Sequence, residues 1–461
     1  MRFARFVGKT NRNLVYRAAL RDGSIRKMDF RPAEGNITLD FTVDGERLAL
    51  PMAPVVRDLI DLATIVYTAD ELCARTAGAD RWSRGFKALI PVRAPGAWRK
   101  ASPQLEELLY FLSGDKFQFE WVRTKAVPRL RNHRATVPEG FDTVCLFSGG
   151  ADSLVGAYEL LASGKKVLLV GHQADGITAS TQDRVYRFFK KRFGDHVAFV
   201  QARVARSPRE NPEFPLGEKV ETTHRPRSFL FLSLAVAVAA AGEIDEIVIP
   251  ENGLIALNPP LDASRVGTLS TRTAHPRFIA GFQTFAGMIG VFTGQIHNPF
   301  LYLSKTDVIR RTPRGLRPLL RQTVSCSHLG RNRWTGFRGH HCGYCIPCLY
   351  RRAAFSTLDL DDPGDYYRNV FTRFNSLTSN ERSDIRALSR FARRVEAMTP
   401  AERVGAVVAH GACEGNLLAG IGPEVADPYG AWSEMLDRWA DDFLSTARSW
   451  TSRDVRRRLA L

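Results

Sequence analysis

Residues 144–161 read VCLFSGGADSLVGAYELL. The run Val144–Phe147 suits a buried strand, and Leu154, Ala157, Tyr158 and Leu161 then recur at helical spacing. Between them the chain turns through Ser148-Gly149-Gly150-Ala151-Asp152-Ser153. Glycines at such a corner accept positive φ and let backbone N–H groups approach a ligand closely. Asp152 or Ser153 is expected to cap the helix. The free N–H groups and dipole at a helix N-terminus favour phosphate. No G-x-x-x-x-G-K-[ST] string occurs, so the γ-phosphate cradle of kinases and GTPases has no support.

Strands and helices alternate from residue 141. TVCLF, KVLLVG (166–171), HVAFVQARV and EIVIP (246–250) read as strands. Residues 152–163, 181–193 and 228–241 read as the helices between them. This order predicts an α/β fold with a doubly wound parallel sheet, whose ligands sit at the carboxyl ends of strands. Three regions are expected: an N-terminal α+β accessory or interaction domain (1–137), a nucleotide-binding domain (138–355) and a helical C-terminal region (356–461). In the first, NITLDFTVDGERLAL alternates like strands, with Asp22-Gly23 and Asp44-Gly45 as turn signals. Residues 55–72 have helical periodicity.

The formal charge is +17, which implies anionic company such as nucleotides, nucleic acid or an acidic protein surface. From Val308 to Arg338 there is no acidic residue, while Arg310, Arg311, Arg314, Arg317, Arg321, Arg331, Arg333 and Arg338 accumulate. That block should bind phosphates or lie against acidic groups. The N-terminus has no apolar export segment, and FLFLSLAVAVAAA (229–241) is too short for a bilayer, which needs about 20 residues. A cytoplasmic protein is expected, with no membrane partner.

Seven cysteines are present. Without an export signal they read as thiols or metal ligands. Cys342, Cys345 and Cys348 form a C-x-x-C-x-x-C run, and Cys326 lies upstream. Four thiolates make the closed tetrahedral set of a structural zinc site. The same spacing suits an iron–sulfur cluster, and His328, His340 or His341 could replace one thiolate. Cys73, Cys145 and Cys413 read as core residues.

The Ser-Gly-Gly-x-Asp-Ser string resembles the PP-loop of ATP pyrophosphatases. Together with Cys326, Cys342, Cys345, Cys348 and Arg351, it makes residues 142–352 similar to the 7-cyano-7-deazaguanine synthase (QueC) family. HRPRSFLFLSLAVAVA looks like that family's Gly-Arg-Asn helix, with Arg227 at the arginine position and Ser228 where asparagine is usual. LSKTDVI looks like its lysine-plus-acid segment, giving Lys305 and Asp307.

The resemblance implies that Ser148, Gly149, Gly150, Asp152 and Ser153 hold the pyrophosphate part of ATP, with Asp152 positioning the loop or Mg2+. Asp152, Arg227 and Lys305 become the candidate catalytic residues, with Zn2+ as a structural metal. The implied activity is that of an ATP-dependent carbon–nitrogen ligase. It adenylates a small heterocyclic carboxylate, 7-carboxy-7-deazaguanine in the family, releases pyrophosphate, and proceeds to amide and nitrile.

Two departures stand out. GHQADG (171–176) replaces the family's Asp-Tyr-Gly-Gln, and residues 251–275, expected on the substrate side, match loosely. Long extensions flank the matching region. Enlarged relatives occur in bacterial antiphage operons, where a partner protein's amine is a conceivable acceptor. Two rivals remain: a PP-loop tRNA-modifying enzyme and a non-catalytic nucleotide-binding scaffold. Nucleic acid is not favoured, since a thiolating enzyme wants a reactive cysteine near the loop.

Overall fold

The stretch Val167–His172 is buried along its whole length, as a strand covered on both faces must be. A computed structural model describes residues 4–5, 15–19, 25–29, 37–48, 53–73, 75, 83–125, 135–206, 221, 224–259, 261, 272–329, 337, 339, 341–409, 418 and 420–461. The strands are β1 (Ala4–Arg5), β2 (Val15–Ala19), β3 (Ile25–Asp29), β4 (Ile37–Val43), β5 (Glu46–Arg47), β6 (Gly85–Val92), β7 (Lys116–Arg123), β8 (Thr143–Leu146), β9 (Val167–His172), β10 (Val197–Arg206), β11 (Glu246–Val248) and β12 (Gln295–His297). Through the nucleotide-binding region the helices are α1 (Pro54–Leu72), α2 (Pro95–Ser113), α3 (Ala151–Ala162), α4 (Gly176–Phe193), α5 (Arg227–Ala241), α6 (Gly253–Leu257), α7 (Pro276–Met288), α8 (Lys305–Arg310), α9 (Arg317–Arg321) and α10 (Ile346–Ser356). The C-terminal helices are α11 (Ser379–Ala397), α12 (Pro400–Ala409), α13 (Pro428–Trp450) and α14 (Arg453–Leu459).

The main sheet has seven strands in the order β12-β11-β8-β9-β10-β4-β5. The first five are parallel, and β4 joins β10 antiparallel with Val200 opposite Val43. Neighbours β9 and β11 leave β8 on opposite sides. The crevice beyond the carboxyl end of β8 is therefore the switch point of the sheet.

The parallel α/β architecture follows the reading above, and the expected strands and helices appear within a few residues of their predicted ends. Asp44 and Gly45 both have positive φ, as the turn between β4 and β5 requires. The Asp44 carboxylate also accepts from Phe199 N (2.9 Å) and Tyr186 Oη (2.6 Å), tying the turn to the central sheet. Asp22-Gly23 and Cys413 lie outside the described residues.

The N-terminal stretch thus supplies edge strands to the main sheet. It also builds a second, parallel sheet, β1-β6-β7, with α2 between β6 and β7. Helix α5 is buried on nearly all sides because α1 covers it where it leaves the sheet. Buried Arg75 and Arg84 pair with Asp70 and Asp115, joining α1 to the second sheet.

Three arginines of the arginine-rich block pair with acids. Arg310 pairs with Asp442 (2.8 Å), Arg311 with Glu159 (3.7 Å) and Arg321 with Asp362 (3.1 Å). Arg331, Arg333 and Arg338 lie outside the described residues. Among the described residues, no helix is long and apolar enough to cross a membrane.

Candidate active site

The turn after β8 is built as the glycines demand. Gly149 has φ +80, and a Cβ there would sit 3.2 Å from Gln182 Cγ. The helix cap differs from expectation. Gly150 is the N-cap of α3 and no side chain caps it. Ser153 Oγ instead donates to Gly150 O (3.0 Å) and meets Ser148 Oγ at 3.3 Å, while Gly150 N donates to Ser148 Oγ (3.3 Å). The first intrahelical bond runs from Leu154 N to Gly150 O. The N–H groups of Ala151, Asp152 and Ser153 therefore precede the helical ladder, which is the arrangement an oxyanion needs. Capping by Asp152 or Ser153 would have blocked that site.

Asp152 points to the neighbouring strand ends instead. Its Oδ1 takes Lys305 Nζ at 2.8 Å, and its Oδ2 takes Asn252 Nδ2 at 2.8 Å. All three side chains are buried. Lys305 opens α8 behind the N-cap Ser304. Asp307 belongs to that capping box and pairs outward with Arg438 (3.3 Å), so the lysine-plus-acid pair splits, with only Lys305 at the site.

Glu251 completes the cluster. Asn252 Nδ2 lies 3.3 Å from Glu251 Oε1, and buried Asn298 braces the turn by donating to Glu251 O (2.7 Å). Burial first, and then the Asp152 charge, push the Glu251 carboxyl well above the usual carboxylate range, although Lys305 opposes this. Burial and the neighbouring Asp152 thus favour the neutral form of Glu251 beside the Lys305–Asp152 pair. Sequence reading placed residues 251–275 on the substrate side without singling out Glu251, Asn252 or Asn298. The available signal was Pro-Glu-Asn-Gly immediately after a buried parallel strand. Residues 260 and 262–271 lie outside the described residues.

Ser148, Asp152, Ser153, Glu251 and Lys305 line one cavity of about 1160 Å³. Ligand pockets of roughly 300–1,000 Å³ are usual, so this cavity is at the large end of the range. Arg227 lines the same cavity from the start of α5, exposed, with its guanidinium 4.9 Å from the Phe231 ring centroid. His172, Tyr67 and His224 form the wall beside it.

The sulfur atoms of Cys326, Cys342, Cys345 and Cys348 all lie within 4.8 Å of one another. Cys342 and Cys348 are 3.9 Å apart at sulfur, close to the edge of a tetrahedron with Zn–S of about 2.3 Å. Backbone N–H groups of His328 and Cys342 reach Cys326 Sγ, and that of Cys345 reaches Cys342 Sγ, each at 3.3 Å. Such donors stabilise thiolates. Gly343, at φ +85, permits the tight turn between ligands, where a Cβ would fall 2.0 Å from Arg368 O. His341 Nε2 accepts from Ser325 N instead, and His328 Nδ1 stays 3.6 Å from Cys342 Sγ as a neighbour of the four-sulfur set. The donor set fits zinc, which when bound would hold the lobe together. Cys73 and Cys145 are buried thiols, as core residues are.

Residues 273–359 match the family model described as queuosine biosynthesis protein QueC. The 7-cyano-7-deazaguanine synthase of Rhizobium etli is 25% identical over 236 residues, covering 49% of this chain and 91% of that protein. A 7-cyano-7-deazaguanine synthase 1 of Sphingopyxis alaskensis is 25% identical over 249 residues, covering 49% and 99%. For the corresponding Mesorhizobium japonicum protein the figures are 25% over 166 residues, 34% of this chain and 62% of the relative. No solved structure matches. The chain, built on a parallel α/β sheet, thus matches the QueC model over residues 273–359 and is similar over about half of its length to 7-cyano-7-deazaguanine synthases.

Proposed function

We propose that the protein activates a deazaguanine-type carboxylate with ATP, releasing pyrophosphate and passing the acyl group to nitrogen. The uncapped N-terminus of α3 beside the buried Lys305–Asp152 pair carries this reading. A carboxylate is a poor acyl donor until its oxygen becomes part of a good leaving group, which AMP supplies. The chain's own task is to hold two anions together and neutralise charge as the new bond forms. The N–H groups of Ala151–Ser153, with Ser148 and Ser153, would seat the pyrophosphate end. Lys305 would neutralise charge at the reacting phosphate, held in place by Asp152. Arg227 would hold an anionic part of either ligand. Glu251, whose neutral form is favoured by burial and by Asp152, would meet the ligands as a hydrogen-bond donor. Magnesium enters this proposal as the counter-ion of ATP.

The acceptor is proposed to be an amine on a partner protein encoded nearby, in an antiphage setting, with residues 1–137 helping to dock it. One feature supports this: the cavity that holds the loop is also lined by Glu107 and Tyr110 on α2 and by Ile346 at the zinc lobe. The ion pairs made by Arg310, Arg311 and Arg321 within the chain weigh against an RNA substrate. The test is incubation of pure protein with labelled ATP and 7-carboxy-7-deazaguanine, resolving AMP from ADP and weighing products by mass spectrometry, with and without co-expressed neighbours. AMP and an adduct on a partner are expected. Free nitrile at an ordinary enzymatic rate with no adduct would replace the partner with ammonia. No AMP with any carboxylate would remove the activation reading.

A further inference from the structure

We propose that His172 is the hydrogen-bonding residue of a subsite for a fused nitrogen heterocycle. This rests on reading Ser148–Ser153 as the phosphate loop, and it assigns a residue that the loop chemistry does not use.

The side chain's direction is set by strand alternation. A Cβ on Gly171 would meet Gln182 Nε2 and Phe147 O, both at 2.9 Å, so that face of β9 is filled by α4 and the loop base. His172 takes the opposite face, toward α1 and α5, and opens on the cavity. Tyr67 meets its ring edge-on at 5.7 Å and Phe231 at 5.5 Å, tilted. His224 stacks on Tyr67 at 6.1 Å, and the Arg227 guanidinium covers Phe231.

The ring is only 5% exposed, yet among the described residues neither Nδ1 nor Nε2 has a partner. Leaving a buried polar atom unpaired costs about 1–3 kcal/mol, and native proteins keep few such atoms without a use. The groups facing it decide its charge. Burial, Arg227 and His224 all oppose protonation, and they push the imidazole down to about 3. At neutral pH it therefore presents one N–H donor and one lone-pair acceptor rather than a cation. That pair is poorly matched to a phosphate and well matched to a ring edge carrying both donor and acceptor nitrogens. The aromatic walls suit a flat ring. Both proposed ligands contain one: the adenine of ATP and the deazaguanine of the carboxylate.

The experiment is isothermal titration of full-length wild type, His172→Phe and His172→Gln with three probes. They are a non-hydrolysable ATP analogue, 7-carboxy-7-deazaguanine, and tripolyphosphate, which has the phosphates without the ring. His172→Phe should weaken at least one heterocycle by about 10–30-fold, as for loss of one or two hydrogen bonds, and leave tripolyphosphate within about twofold. His172→Gln, whose amide offers a donor and an acceptor, should recover part of the loss. The heterocycle that weakens identifies the ring bound at β9. Unchanged binding of both heterocycles in both variants, as expected if only water meets these nitrogens, overturns the proposal. So does a parallel loss of tripolyphosphate, which would mean a collapsed cavity. Wild type that binds a heterocycle but not tripolyphosphate would refute the phosphate loop and leave the His172 assignment standing.

Discussion

Replacing Lys305 with methionine keeps the bulk of the stem and removes the only cation that the described structure places on Asp152. The two side chains are 8% and 6% exposed, with Nζ 2.8 Å from Oδ1. Burial and the Asp152 charge already favour the neutral form of Glu251, so the variant is left with a buried Asp152 carboxylate and no counter-charge. The least costly response is proton uptake. For an ordinary aspartate at pH 7 that costs about 4 kcal/mol, near the 3–5 kcal/mol range for breaking a buried pair. At pH 5 the same step costs about 1.5 kcal/mol. Asp152→Asn should behave differently. With the Asp152 charge gone, Glu251 loses its main repulsive neighbour and can ionise beside Lys305. Its cost should stay near 1–2 kcal/mol, in the range of an altered buried hydrogen bond. Urea unfolding at pH 7 and pH 5, with pyrophosphate release measured in parallel, checks this. Both variants should lose pyrophosphate release by about 10²-fold or more. A Lys305→Met penalty that is equal at both pH values would refute the charge count, as would Asp152→Asn proving the more damaging change.

Elemental analysis should find one zinc per chain in the fresh protein, and Cys345→Ser should lose metal and several kcal/mol of stability around the lobe; full metal retention would remove the four-thiolate assignment. His172 makes stability acid-sensitive with a definite sign. Its folded value of about 3 lies below the unfolded value of about 6.5, so the contribution is complete above pH 6.5 and is lost as pH falls toward 3. The stability difference between wild type and His172→Phe should therefore shift by about 2 kcal/mol against wild type between pH 7.5 and pH 5, and a flat difference would contradict the buried neutral ring. Gly156→Ala would place a Cβ 2.3 Å from Pro250 Cβ, where α3 touches the turn carrying Glu251. A loss of about 1–3 kcal/mol with reduced pyrophosphate release is expected, and an unchanged melting temperature would show that the contact gives way freely.

Local rules made the loop and the metal lobe legible from the chain alone. Ser-Gly-Gly-x-Asp-Ser after a hydrophobic run specifies a strand, a positive-φ turn and a helix start, all within one stretch of chain. The closely spaced cysteines had few other uses in a protein read as unexported. The sense of the alternation, strand then helix, was enough for a parallel sheet. The helix cap went the other way because Asp152 found Lys305 and Asn252 across the sheet, from 153 and 100 positions away in the sequence. No periodicity reports such pairings. For the same reason Glu251 and Asn298 emerge only when β11 and β12 are laid beside β8, and His172 becomes conspicuous only once α1 and α5 close over it. The N-terminal strands carry a similar lesson: alternation identified β4 as a strand, but one of its two partners, β10, lies beyond a long intervening chain. Sequence fixes what each segment prefers locally, whereas charge pairing, burial and strand partnership depend on which distant segments share a strand end, and tertiary packing alone decides that.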